Sequence, residues 1–248
     1  MNLILVDKCD EVGAGVYRLG DARGRHVRRV LRAGVGDELK VGLINGPKGT
    51  AVVRSVGLEA VELECEFAGE MDVPDVEVDL VCGLPRPQTL KKVLQSAATM
   101  GVRRVHFVDG KRVEKCYFSA SVLDEVNVVG HLLEGMSQGR QTRMPMVFVH
   151  RWFRRFFWYT LENLERAEEV KAKRLLTDMA VEDYLAAMDA EGVRRVLLAV
   201  GPEGGWVQSE IDMMVDAGFE KFRLGAWPLR VENAVVAALG QLELAVRG

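Results

Sequence analysis

The residues best placed to do chemistry lie near the end of this 248-residue chain, between Leu197 and Leu244. Two glycine-bearing loops occur there, GPEGGW (Gly201 to Trp206) and LGAWPLR (Leu224 to Arg230). The second runs into a helix start that carries an arginine, Arg230, and a glutamate, Glu232. GPEGGW lacks the Lys-Ser/Thr pair of a phosphate-binding P-loop and is not GxGxxG. Glu203 within it would repel a phosphate, so a cationic or neutral ligand that needs close backbone approach fits better. The competing reading is a pair of tight strand-to-helix turns with no ligand.

Alternating elements must hold these loops. Leu197 to Val200 closes an apolar run of the length of a buried parallel strand. Ser209 with Asp212 predicts a capping box, and Ile211, Met214 and Val215 give the helix that follows one apolar face. Gly218 stands where that helix ends. Phe219 to Leu224 reads as a second strand, and Val235, Ala238, Leu239 and Leu242 stripe a second helix. Loops at the carboxyl ends of strands in an α/β sheet are where ligands bind.

Upstream, residues 1–70 read as a small β-rich barrel. Its strands are Leu3 to Val6, Val16 to Leu19, Asp37 to Gly42, Gly49 to Val56 and Val61 to Phe67, with one helical piece at His26 to Leu31. A hinge follows around Asp72, Pro74 and Asp75, and residues 74–248 form the second domain. There, Val76 to Leu84 is a strand. Leu90, Val93, Leu94, Ala97 and Ala98 stripe a helix that Gly101 ends, and Val102 to Val108 is again a strand. GVRRVHFV at Gly101 and GVRRVLLAV at Gly192 are near copies, each expected to follow a helix. Such reuse suits a parallel sheet with helices on its faces.

Composition is that of a globular protein, 48% hydrophobic and 28% charged. No apolar run approaches the roughly 18 residues of a membrane span, and MNLILVDK does not read as a signal peptide. Cys9, Cys65, Cys82 and Cys116 lack CxxC spacing, which suggests reduced cytosolic thiols; the four histidines lack ligand spacing, so no metal is expected. The formal net charge of -3 hides two basic patches. The first holds Arg18, Arg23, Arg25, His26, Arg28, Arg29 and Arg32; the second runs from Arg140 and Arg143 to Arg151, Arg154 and Arg155. Both fit a phosphate backbone, or else solvated faces. RWFRRFFWY (Arg151 to Tyr159) invites an RNA-stacking reading, but Phe153, Phe156, Phe157 and Leu161 fall at helical spacing and read better as core, whereas Trp152 and Trp158 lie off that stripe as dimer or surface contacts.

Four blocks resemble the RsmE family of the SPOUT superfamily. They are GPEGG with SEID, LRVENA before an Ala-rich helix, HVRRVLRAGVGDEL (His26 to Leu39) and EGMSQGRQTRMP (Glu134 to Pro145). The resemblance spans most of the chain. It implies an α/β fold, a SPOUT-type knotted parallel sheet flanked by helices with a C-terminal trefoil knot, preceded by a PUA-like β-barrel that binds RNA. It implies S-adenosylmethionine as cofactor, N3 of a uridine in 16S ribosomal RNA as target, the small ribosomal subunit as partner, a cytoplasmic homodimer, and neither metal nor membrane. By the same resemblance, Thr177, Asp178, Gly201, Pro202, Glu203, Gly204, Gly205, Leu224, Gly225, Leu229 and Asn233 hold the cofactor. Arg230 faces the substrate. Glu232 orients Arg230, contacts the cofactor or acts as base. The family's LRTETA is LRVENA here, with Val231 and Asn233 in place of threonines.

Two alternatives stay open: a divergent SPOUT enzyme that methylates another RNA, and a catalytically silent RNA-binding protein. Retention of both loops with Arg230 and Glu232 argues against the silent one. A small-molecule S-adenosylmethionine enzyme fits poorly with the arginine-rich N-terminal region.

Overall fold

The computed structural model describes residues 2–166, 171–185 and 192–247. It comprises two compact units, 1–73 with 133–144 and 74–132 with 145–248. The sequence reading placed 133–144 wholly in the second domain.

The first unit holds strands β1 (Ile4–Val6), β2 (Glu11–Gly13), β3 (Val16–Leu19), β4 (Glu38–Leu43), β5 (Lys48–Val56) and β6 (Val61–Phe67), in spatial order β1-β4-β5-β6-β3-β2. β1 pairs parallel to β4 and the other pairs are antiparallel. Alternation explains the curl: Val61, Leu63 and Cys65 of β6 point inward with Tyr17, Leu19, Val41, Ala51 and Val53. The expected helical piece is helix α1 (Ala22–His26) running into a π-type turn at Val27–Leu31, with only Val27 of that turn buried. Residues 133–144 belong here by hydrogen bonding. Leu3 N–H donates to Ser137 O, Ser137 Oγ to Leu3 O, and Met144 N–H to Asn45 Oδ1.

The second unit is a six-stranded, all-parallel sheet: β7 (Glu77–Gly83), β8 (Arg104–Val108), β9 (Met146–His150), β10 (Lys173–Thr177), β11 (Arg195–Val200) and β12 (Glu220–Phe222), in order β12-β10-β11-β7-β8-β9. Six of six residues of β11 are buried, as a central parallel strand requires. The helices are α2 (Pro87–Thr99), α3 (Glu125–Gly139, shared between the units), the short α4 (Phe153–Arg155) and α5 (Leu161–Arg166), α6 (Gln208–Asp216) and α7 (Val231–Arg247). Pro87 occupies the first turn of α2, where its missing N–H costs nothing. Gly101 and Gly218 end their helices at φ 72° and 83°. The five apolar residues expected on α2 are all buried. The helix expected just before Gly192 falls on residues 186–191, outside the described ones.

The anticipated Ser209–Asp212 capping box is not formed. Glu210 does that work: its carboxylate accepts from Val207 N–H at 3.0 Å and from Lys111 N–H at 2.7 Å. Asp212 instead accepts from the Gln208 amide at 2.8 Å.

Candidate active site

The carboxyl ends of β10, β11 and β12 point the same way because the strands are parallel. β10 lies between the other two. The loops after β11 and β12 therefore flank the end of β10, and Thr177 and Asp178 stand between them. Thr177 Oγ1 donates to Ala199 O at 3.2 Å, and Asp178 N–H to Phe222 O at 2.9 Å. Asp178 is mostly buried, accepts from Ala180 N–H at 2.9 Å and lies 3.5 Å from Lys221 Nζ.

The loop after β11 is packed against its surroundings. Gly205 sits at φ 69° and donates to Pro202 O at 2.8 Å, closing a turn that a side chain would strain. Pro202 is buried over the end of β7: a Cβ on Gly83 would come within 2.4 Å of Pro202 Cδ. Arg112 lies along Gly204 and donates to its carbonyl at 2.5 Å. Glu203 accepts from the Arg86 backbone N–H at 3.1 Å and from Arg86 Nε at 3.2 Å.

The loop after β12 is tied by its carbonyls. Gln241 of α7 donates to Leu224 O at 2.8 Å, and Arg223 donates to Gly225 O at 2.9 Å and Ala226 O at 3.3 Å. Gly225 has no positive φ, and a Cβ on it would meet no heavy atom of the chain within 4 Å. Neither strain nor packing calls for glycine there. Trp227 and Leu229 next to it are exposed.

Arg230 is exposed and caps α7: its carbonyl accepts from Ala234 N–H at 2.8 Å. Glu232, in the first turn, pairs with Lys92 of α2 at 3.0 Å. Burial alone would raise its carboxyl, but its own backbone N–H, the Lys92 ammonium and the Arg230 guanidinium hold it below the usual carboxylate range. Asn233 is exposed. Val231, the departure from the usual threonine, is buried, so an apolar side chain suits the position.

In the first unit, the basic residues divide. Arg18, Arg25, Arg29 and Arg32 are exposed, and His26 is half-buried. Arg23 is occupied internally: it binds Asp10 through both Nη atoms (2.6 and 2.9 Å), Asp21 at 2.9 Å and Leu5 O at 3.2 Å. Arg28 is committed to the carbonyls of Gly57 (2.8 Å) and Leu58. Arg140 is exposed at φ 53°, and Arg143 is half-buried. Among the described residues no cluster of His, Cys, Asp and Glu could hold a metal ion, no helix is long and apolar enough to cross a membrane, and all four cysteines are unbridged.

Sequence reasoning missed Arg86, Lys92, Arg112, Arg223 and Gln241. Each reaches the site from elsewhere in the chain or ties the loops down, and none falls in a motif.

A parallel sheet with two tied loops around a central strand end, preceded by a curled β unit, is the fold of a SPOUT methyltransferase with a PUA-like unit. The chain belongs to the RNA methyltransferase domain family, whose model matches residues 73–243. It is similar to the ribosomal RNA small subunit methyltransferase E of Treponema pallidum, with 28% identity over 96% of this chain and 89% of that one. It is similar also to ribosomal RNA small subunit methyltransferase E 1 of Borreliella burgdorferi, with 22% identity over 96% and 95%. The crystal structure of a ribosomal RNA small subunit methyltransferase E from Neisseria gonorrhoeae bound to S-adenosyl methionine shares the fold. Its TM-score is 0.73 at 20% identity, covering 98% of this chain and 97% of that one.

Proposed function

We propose that this chain transfers a methyl group from S-adenosylmethionine to N3 of a uridine in 16S ribosomal RNA. The observation that carries the reading is the strand end at Thr177–Asp178, flanked by the Gly201–Gly205 and Leu224–Leu229 loops with Arg230 exposed beside them. The names of the relatives support small-subunit ribosomal RNA as the substrate, and the four RsmE-like sequence blocks support N3 as the target. A cytoplasmic homodimer with a knotted C-terminal region belongs to the same reading.

The carboxylates of Asp178, Glu203 and Glu232 are already paired with Lys221, Arg86 and Lys92, so the fit to the cofactor rests on the backbone that the two loops bring into close reach. When bound, the cofactor supplies an electrophilic methyl on a positively charged sulfur. Pro202, Gly201, Gly204, Gly205, Leu224, Gly225 and Leu229 would hold it, with Thr177, Asp178 and Asn233 beside them. Holding nucleophile and methyl in line is worth up to about 7–11 kcal/mol.

Loss of the N3 proton to water leaves negative charge spread over the uracil oxygens, and in this anionic form N3 would take the methyl as the donor's carbon–sulfur bond breaks. Arg230 holds that charge. A well-placed donor of this kind contributes about 3–4 kcal/mol. Glu232 is ionised and engaged by Lys92, so it positions the start of α7 and Arg230 rather than taking the N3 proton. The residues that face RNA are Arg18, Arg25, His26, Arg29, Arg32, Arg140 and Arg143, while Arg23 and Arg28 stabilise the unit that presents them.

The test is calorimetric titration with S-adenosylmethionine alongside a methyl-transfer assay on 16S RNA. Arg230→Ala keeps cofactor binding and loses about 10²–10³-fold in turnover. Loss of cofactor binding in that variant would make Arg230 a cofactor ligand instead.

A further inference from the structure

The segment Arg151–Thr160 splits its aromatic residues between two jobs. Phe156 and Phe157, with Leu161 beyond them, are buried in the core beside Phe219, Trp206 and Met214. Phe157 meets Phe219 edge-on at 5.7 Å and Phe153 at 4.5 Å. These contacts fix the segment on the unit. The exposed residues from 151 to 159 are then Arg151, Trp152, Arg154, Arg155, Trp158 and Tyr159. Every one is aromatic or cationic. Trp152 is 71% exposed, Trp158 51% and Tyr159 65%.

Helical spacing alone explains the buried half. It does not explain three large aromatic side chains in water, since a solvated face has no use for them. The cations are arranged with them. Arg154 lies over the Trp158 ring at 5.7 Å, and Arg151 lies over Phe118 at 5.2 Å while donating to Phe118 O at 3.2 Å. No acid occurs from Arg140 to Leu161; Glu162 is the first, just past the segment. Lys111 and Lys115 line the hollow shared by Phe153 and Arg154, with Asp109 and Glu210 as its acids. Lys115 pairs with Asp109, and Glu210 is taken by backbone N–H groups.

We infer that this surface of the catalytic unit is a stacking platform for single-stranded RNA. Unpaired bases stack on Trp152, Trp158 and Tyr159, and the arginines follow the phosphates. Rings stack on any base and arginines pair with any phosphate, so the platform grips RNA without reading its sequence. With Arg151, Arg154 and Arg155 exposed and no acid from Arg140 to Leu161, the segment complements a polyanion such as RNA. The inference rests on the RNA-substrate reading above and adds to it a second contact, outside the proposed methyl-transfer site.

The test is fluorescence anisotropy with a labelled single-stranded uridine decamer, on the full chain. Each base–aromatic stack is worth about 5- to 150-fold in affinity. Trp152→Ala with Trp158→Ala and Tyr159→Ala weakens decamer binding at least tenfold. Trp158→Phe retains most of the affinity that Trp158→Ala loses. Arg154→Gln lowers the slope of log affinity against log salt by about one. Calorimetric binding of S-adenosylmethionine stays unchanged in all of these variants.

Unchanged decamer affinity in the triple variant overturns the inference. So does a triple variant that only loses self-association in sedimentation, which would make the surface a copy-to-copy interface. If the wild-type chain binds the decamer through these aromatics but transfers no methyl, the methyltransferase reading fails and this one stands. If it methylates RNA and the triple variant binds equally well, this one fails alone.

Discussion

Replacing Gly83 with alanine tests how the loop after β11 is held. The added Cβ would lie 2.4 Å from Pro202 Cδ, 2.8 Å from Pro202 N and 3.0 Å from Pro202 Cγ. Carbon atoms in good contact sit about 3.5–4.0 Å apart, so Pro202 must retreat by about 1 Å. Pro202 is a buried ring whose carbonyl closes the Gly205 turn, so the whole Gly201–Gly205 loop moves with it. Overpacking of this kind costs about 1–3 kcal/mol in stability. A displacement of about 1 Å at a reacting centre costs up to 10²-fold in rate. Gly225→Ala is the paired control. Its Cβ meets no atom of the chain within 4 Å. It leaves urea stability unchanged yet weakens S-adenosylmethionine binding, because the proposed cofactor site includes the space it fills. Urea denaturation and calorimetry of both variants decide the matter. A Gly83→Ala protein with wild-type stability and turnover, or a Gly225→Ala protein with wild-type affinity, would refute this account of the loops.

Three further outcomes follow from named groups. His106 is buried, hydrogen-bonded to His150 through Nδ1 at 3.0 Å, and burial pushes its pKa down to about 3, assisted by His150, Arg104 and Arg195. The folded chain keeps this ring neutral while the unfolded chain protonates it, so its stability contribution is full above about pH 6.5 and lost on acidification. Between pH 7 and pH 5 that loss is about 2 kcal/mol; thermal melting of His106→Phe shows a flatter decline, and an equal decline would contradict the assignment. Arg23→Gln lowers the melting temperature of the isolated chain, since a paired, partly buried charge is removed and Asp10 is stranded, at a cost of about 2 kcal/mol. Arg25→Gln and Arg29→Gln leave melting unchanged and weaken RNA binding; the reverse pattern would put Arg23 on the RNA. Glu232→Gln lowers kcat about tenfold with cofactor affinity and the pH profile intact, as loss of a positioning contact predicts; disappearance of an acidic limb from that profile would make Glu232 the base.

Much of this was legible because local chemistry and periodicity agreed. The apolar run ending at Val200, the α2 stripe from Leu90 to Ala98 and the helix-ending Gly101 and Gly218 all follow from spacing alone. Short strands such as Val61 to Phe67 marked the β-rich first unit. What stayed hidden is long-range. Arg86 and Glu203 are 117 residues apart, and Lys92 and Glu232 are 140 apart. No window along the chain brings such partners together. The order β12-β10-β11 is hidden for the same reason, and it sets Thr177 and Asp178 between the two glycine loops. Ser209 matched the template of a cap, yet Glu210 won because it reaches both Val207 and the distant Lys111 backbone. Arg23 looked like one more basic residue in a basic stretch until the fold set Asp10 against it.

The most direct measurement is digestion to nucleosides of 16S RNA treated with this protein and methyl-labelled S-adenosylmethionine, separated and identified by mass. The account predicts a single labelled product, uridine methylated at N3, formed by the wild-type chain and nearly absent with Arg230→Ala. Label on a ribose hydroxyl or on another base, or no label although the cofactor binds, would contradict it.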